Sequence, residues 1–190
     1  RKNDCNSNKN RVFYYCQPHL IYHGGILLTY TVGPNMRNYN ALITDLDDWE
    51  THNGFTIGPD GWLAGMGSFN LAVAFTSLFW PEFTIYDDCV FMEPFTEHHL
   101  SNYKSFQRLS DFDMCKTEVT MNHQHLMDFF PNEQTQPTRE QIIYLGRILK
   151  DMWQLKLNRD FPDRRIVVSF PEDYAEDLNE YEITFWQERE

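Results

Sequence analysis

Positive charge is what this chain has least of. Sixteen Lys and Arg stand against 28 Asp and Glu in 190 residues, a formal net charge of −12. Recognition of a phosphate backbone needs clustered basic side chains, so a nucleic-acid partner is not expected. Cysteine is scarce too. Cys5, Cys16, Cys89 and Cys115 form no C-x-x-C pair and no metal-ligand rhythm, which argues against a thiolate zinc site. Cys89 and Cys115 lie among apolar neighbours and read as buried free thiols of a reducing compartment. A secretory signal, a lipidation motif and an N-x-[ST] acceptor are not found, and the expected localisation is cytoplasmic. There is no internal repeat, no G-x-S-x-G elbow, no P-loop lysine and no EF-hand order of acids, so no segment names a reaction or a cofactor.

One further absence organises the reading. Residues 61–81, GWLAGMGSFNLAVAFTSLFWP, hold no charged side chain. Between Ser68 and Trp80 the apolar residues fall on every side of a 3.6-residue period, which predicts a helix buried all round. Thr76 and Ser77 can return hydrogen bonds to the preceding turn, and Pro81 ends the helix. A membrane span needs about 20 strongly apolar residues; about thirteen precede Pro81, so no membrane association is expected.

What is present is an aromatic-rich, acidic chain, 16% Phe, Trp and Tyr. Its length suits one domain with a substantial core. Residues 1–10 are polar and read as a flexible extension, and 11–190 as a single domain. Strand-like runs at 12–15 and 20–32 precede an amphipathic helix carrying Leu42, Ile43, Leu46 and Trp49, which Asn53-Gly54 would stop. Residues 55–57 read as a short strand and Gly58-Pro59-Asp60-Gly61 as a turn. After Pro81, residues 83–92 read as a strand. A helix follows over 96–109, with Thr96 as cap. Residues 117–130 read as another helix, with Val119, His123, Leu126 and Phe130 on one stripe. The clearest helix runs over 138–158, where Thr138 and Gln141 fit a capping box; Ile142, Leu145, Leu149, Met152 and Trp153 form its apolar face and Lys156 falls on or near the wetter side. Two strands at its far end, with Ile166, Val168 and Phe170 in one and Tyr181, Ile183 and Phe185 in the other, are expected to pair antiparallel across an acidic loop. The fold class expected is α+β: a mostly antiparallel sheet with packed helices and one fully buried central helix.

Candidate chemistry is thin. Glu97-His98-His99 offers imidazole and carboxylate donors, yet neighbours on a helix point about 100° apart. His123-x-His125 would chelate from a strand, where alternate residues face one way; on the helix expected here the two rings diverge, leaving His123 as a core residue. Gly65-x-Gly67-Ser68 before a helix could cradle an anion, although close packing explains the glycines as well. No metal or other cofactor is therefore expected. The sharper signal is charge. Glu172, Asp173, Glu176, Asp177 and Glu180 crowd one loop around Tyr174, and Asp45 and Asp48 share one side of a helix. Like charges so close keep a loop extended until something basic neutralises it, and a central Tyr suits an interface. The expected function is a non-enzymatic binding module that docks a basic protein through these residues. The alternative is a hydrolase using scattered His and Asp residues with a divalent metal.

Overall fold

The computed structural model describes residues 39–132, 135–171 and 176–189. The expected extension at 1–10, the strands at 12–15 and 20–32, and Cys5 and Cys16 lie outside the described residues. Contacts group the chain into two compact units, 1–66 and 67–190.

In the first unit, short helix α1 (Tyr39–Leu42) is followed by α2 (Leu46–Asn53), whose apolar anchor Leu46 is fully buried. Gly54 ends α2 in the left-handed conformation, its N–H bonding the Glu50 carbonyl, as the Asn-Gly pair predicts. Residues 55–57 are not a strand, and Gly58-Pro59-Asp60-Gly61 opens helix α3 (Gly58–Met66) instead of making a turn. The reason is local. Pro59 needs no amide partner in a first helical turn, Asp60 favours the positive helix end, and the Glu50 carboxylate accepts from the N–H groups of Ile57 and Gly58.

The second unit opens with α4 (Phe69–Phe79), the uncharged helix. Ser68 caps it by accepting from the Leu71 N–H, and Thr76 and Ser77 donate to the Val73 and Ala74 carbonyls as expected. Its burial is not as expected. Phe69 is 93% exposed and Val73 67%, with Leu71 and Phe75 also exposed. Only the C-terminal end, through Leu78 and Phe79, packs on the core, and the Trp153 indole N–H donates to the Leu78 carbonyl. A helix apolar on every side carries no stripe to say which side is covered, so composition alone overstated its burial. Among the described residues no single helix is long and apolar enough to cross a membrane.

Residues 83–92 are a hairpin and not one strand: β1 (Phe83–Tyr86) pairs antiparallel with β2 (Cys89–Met92). Asp87 and Asp88 both take positive φ, the twist that two-residue hairpin turns require. Helix α5 (Glu97–Leu109) starts at Thr96 as expected, with a capping box closed by His99. Helix α6 (Met114–Asn122) then stops eight residues short of the expected end at Phe130. It gives way to β3 (Gln124–His125) and a 3-10 turn, Leu126–Phe129. Helix α7 (Arg139–Asp160) has the expected Thr138–Gln141 capping box, and β4 (Ile166–Ser169) pairs antiparallel with β5 (Glu182–Gln187) as expected. The second sheet has the order β3-β5-β4. The fold is thus α+β, with every strand pair among the described residues antiparallel.

The core lies between that sheet and α7. Ile166, Val168 and Phe170 alternate inward from one strand and Tyr181, Ile183 and Phe185 from the other, against Ile142, Leu149, Trp153 and Leu157. Gly146 gives the Phe170 ring its place; a Cβ there would stand 2.1 Å from it. Lys156, expected on the wetter side, is only 4% exposed. Its ammonium is held by Asp160 and by Glu82 at 3.2 Å, so two carboxylates replace the water it gives up.

Candidate metal centre

The site begins where α6 ends. Asn122 is buried, and its amide donates to the carbonyls of Val90 in β2 (2.9 Å) and Phe185 in β5 (3.1 Å). Once those two bonds are made, the chain must leave the helix to follow the sheet, and His123 is extended at φ −71°, ψ 140°. Gln124 then pairs with Ile183 and His125 with Glu182. Strand geometry places alternate residues on one face. His123 and His125, which a helix would have separated, therefore stand together with ring centroids 5.4 Å apart. Glu182, directly opposite His125, brings its carboxylate to 3.9 Å from Nε2. The ligand atoms of all three residues lie within 4.8 Å of one another.

The hydrogen bonds decide the state of the rings. His123 Nδ1 is 2.7 Å from the Thr120 carbonyl, and His125 Nδ1 is 2.8 Å from the Asn179 carbonyl. A carbonyl oxygen can only accept, so each Nδ1 carries the proton and donates. In the neutral ring Nε2 is then left with its lone pair. Histidines that bind metals are held in this way, one nitrogen donating to a backbone carbonyl or carboxylate while the other ligates. Two imidazole nitrogens and one carboxylate oxygen suit zinc, iron or a similar divalent ion. Donors around tetrahedral zinc stand about 3.3 Å apart, and the closing movement of about 1.5 Å or less is available to side chains as exposed as His125 and Glu182, at 39% and 47%. The other His pair is used differently: His99 closes the α5 cap and His98 meets Asn102.

The acidic residues expected to bind a partner fall in both units and partly outside the described residues. Glu172, Asp173 and Tyr174 lie outside the described residues. Glu176, Asp177 and Glu180 are exposed in the second unit, Asp177 accepting from the backbone N–H and side-chain amide of Asn179. Asp45 and Asp48 are exposed in the first unit, at and just after the start of α2. Of the free thiols, Cys89 is fully buried and Cys115 only half-buried. An apolar cleft of about 340 Å³ runs between α4 and Trp153, lined by Leu71, Phe75, Leu78, Met92, Phe129 and Phe130; the three metal donors do not line it.

The comparisons with known proteins come to one result. No match was found. Neither the models of known families, nor the curated proteins, nor the solved structures resemble this chain. The donor geometry therefore carries the functional reading by itself. Sequence reasoning had the His-x-His spacing and lost it by extending α6 through it. Glu182 carried a weaker signal: Tyr181, Ile183 and Phe185 point inward, so Glu182 must point out.

Proposed function

We propose that this chain binds one divalent transition-metal ion, zinc being the best fit, through Nε2 of His123, Nε2 of His125 and the carboxylate of Glu182. The observation that supports the reading is the pairing of each Nδ1 with a backbone carbonyl, which leaves each Nε2 lone pair unused in a cluster whose three donor residues bring ligand atoms within 4.8 Å of one another. Three protein donors leave a tetrahedral ion one position for water or for a ligand from another molecule. Bound there, the ion would acidify that water, which is the chemistry of the hydrolytic alternative. Two free thiols, Cys89 and Cys115, accord with a reducing compartment, and the cytoplasm is the proposed location. Titration of chelator-stripped protein with zinc chloride in a calorimeter tests the reading. Expected is one ion per chain, with affinity falling at least tenfold, about 1.4 kcal/mol, in each of His123→Ala, His125→Ala and Glu182→Gln. Binding that is absent, or that survives all three substitutions unchanged, overturns it.

A second reading is docking of a basic protein, supported by the exposure of Glu176, Asp177 and Glu180. Reversing charge with Glu176→Lys and Asp177→Lys should slow association with such a partner and flatten its salt dependence. An unchanged association rate would exclude this segment.

A further inference from the structure

Three features beyond the bare donor set converge on the same corner of the fold. The first is how little holds β3. It is an edge strand of two residues, paired to β5 only through Gln124 with Ile183 and His125 with Glu182, and continued by the Leu126 N–H donating to the Tyr181 carbonyl at 3.0 Å. The second is where the donors come from. Two stand on the β3 segment and the third is the first residue of β5, so an ion bound to all three spans the strand pair. The third is the far side of the His125 ring, whose Nδ1–H donates to the Asn179 carbonyl. Asn179 sits in a 3-10 turn, Leu178–Glu180, which Asp177 caps and which leads directly into β5.

We infer that metal occupancy at this centre orders the acidic segment 176–182, so that the ion acts as a switch on how Glu176, Asp177 and Glu180 are presented. The inference rests on the metal reading above and deepens it. A free imidazole on an exposed edge can rotate about two side-chain bonds, and each rotation away from its present pose releases the Asn179 carbonyl. An ion on Nε2 removes that rotation, and by withdrawing electron density it makes Nδ1–H a stronger donor to the carbonyl. The turn is thereby pinned from one side by His125 and from the other by Glu182 in the next residue but one after its end. Charge acts in the same sense. Glu176, Asp177, Glu180 and Glu182 repel one another within seven residues, and a dication among them reduces the repulsion that favours an open loop. Coupling of this kind is reciprocal: whatever basic surface prefers the ordered segment must also tighten the metal.

The test is hydrogen exchange followed by mass spectrometry on the full chain, with and without zinc chloride, read beside the calorimetric titration. At zinc one hundred times its dissociation constant, linkage allows slowing of up to about 100-fold. Slowing of at least about tenfold is expected for the amides of Leu126, Asn179, Glu180 and Tyr181, whose acceptors lie in or beside the turn. Amides of the β1–β2 hairpin should not change. His123→Ala removes one ion ligand while leaving the His125 bond to Asn179 intact. At the same zinc concentration it should cut the zinc-dependent slowing by the factor it costs in affinity, at least about tenfold, without raising exchange in the zinc-free protein. If zinc binds stoichiometrically through the three donors and exchange at 176–182 is the same with and without it, this inference falls and the metal reading stands. If zinc does not bind, or binds independently of the three donors, both fall.

Discussion

Replacing Glu118 by Gln tests the structure at the point where it departs furthest from ordinary polar placement. Glu118 lies on α6 and is 0% exposed. One carboxylate oxygen accepts from the Val90 N–H at 2.8 Å; the other accepts from the Gln187 N–H at 2.9 Å and from the Arg189 guanidinium at 2.8 Å. This one side chain therefore ties α6 to β2 and to the end of β5. Gln is nearly isosteric, so no cavity forms and the cost is purely polar. Its amide keeps one oxygen and replaces the other with an NH2 group, which must face either the Val90 N–H or the Gln187 N–H. One backbone donor is stranded, at about 1–3 kcal/mol, and Arg189 loses the charge that balanced its partial burial. Removing one partner of a buried ion pair costs about 3–5 kcal/mol; Arg189 keeps a route to water at 23% side-chain exposure, so the total should lie near about 3–4 kcal/mol. Urea unfolding monitored by tryptophan fluorescence reads this directly. A Glu118→Leu, Arg189→Leu double variant should remain destabilised, because both backbone N–H groups are then without acceptors. A loss below about 1 kcal/mol for Glu118→Gln, the range of a solvent-exposed pair, would refute the buried clamp.

Other outcomes follow from the same packing. Gly146→Ala gains up to about 1 kcal/mol of helix propensity, but its methyl would collide with the Phe170 ring, itself buried. Overpacking of about 1–3 kcal/mol should win, so the melting temperature falls; a rise would mean that Phe170 has room to move. The Cys89 thiol is pushed from 9.0 up to about 11, first by burial and then by the Glu118 charge. The folded state thus favours the neutral thiol, a contribution intact below about pH 9 and lost as pH climbs through about 11, worth up to about 2–3 kcal/mol. Tyr103, also pushed up by burial and by its bond to Asp87, adds to that slope. Unfolding free energies of Cys89→Ala and of the native chain should therefore converge between pH 9 and 11; parallel curves would show that Cys89 does not feel the burial described. Zinc affinity should weaken on acidification, since ligation needs neutral imidazole; calorimetry showing no pH dependence would rule out histidine donors.

Local chemistry and alternation determined much of this molecule without help from tertiary contacts. Thr138 with Gln141, Ser68, Thr96 and Gly54 mark helix ends because a cap needs only a few neighbouring residues. The pairing of β4 with β5 was legible because Ile166, Val168, Phe170, Tyr181, Ile183 and Phe185 alternate with a period that only a half-buried strand satisfies. Long-range contacts decided the rest. Whether α4 is covered depends on what lies beside it, and a helix with no polar stripe does not encode that. Whether Lys156 is buried depends on Glu82, 74 residues away. The metal centre shows the division most plainly: the sequence held the two histidines at chelating separation. Only the bonds from Asn122 to β2 and β5 could end α6 just before His123, eight residues short of the expected end, turn the period from 3.6 to 2, and set both rings beside Glu182. A hydrogen bond to a carbonyl 63 residues away leaves no trace in the periodicity of the segment it interrupts.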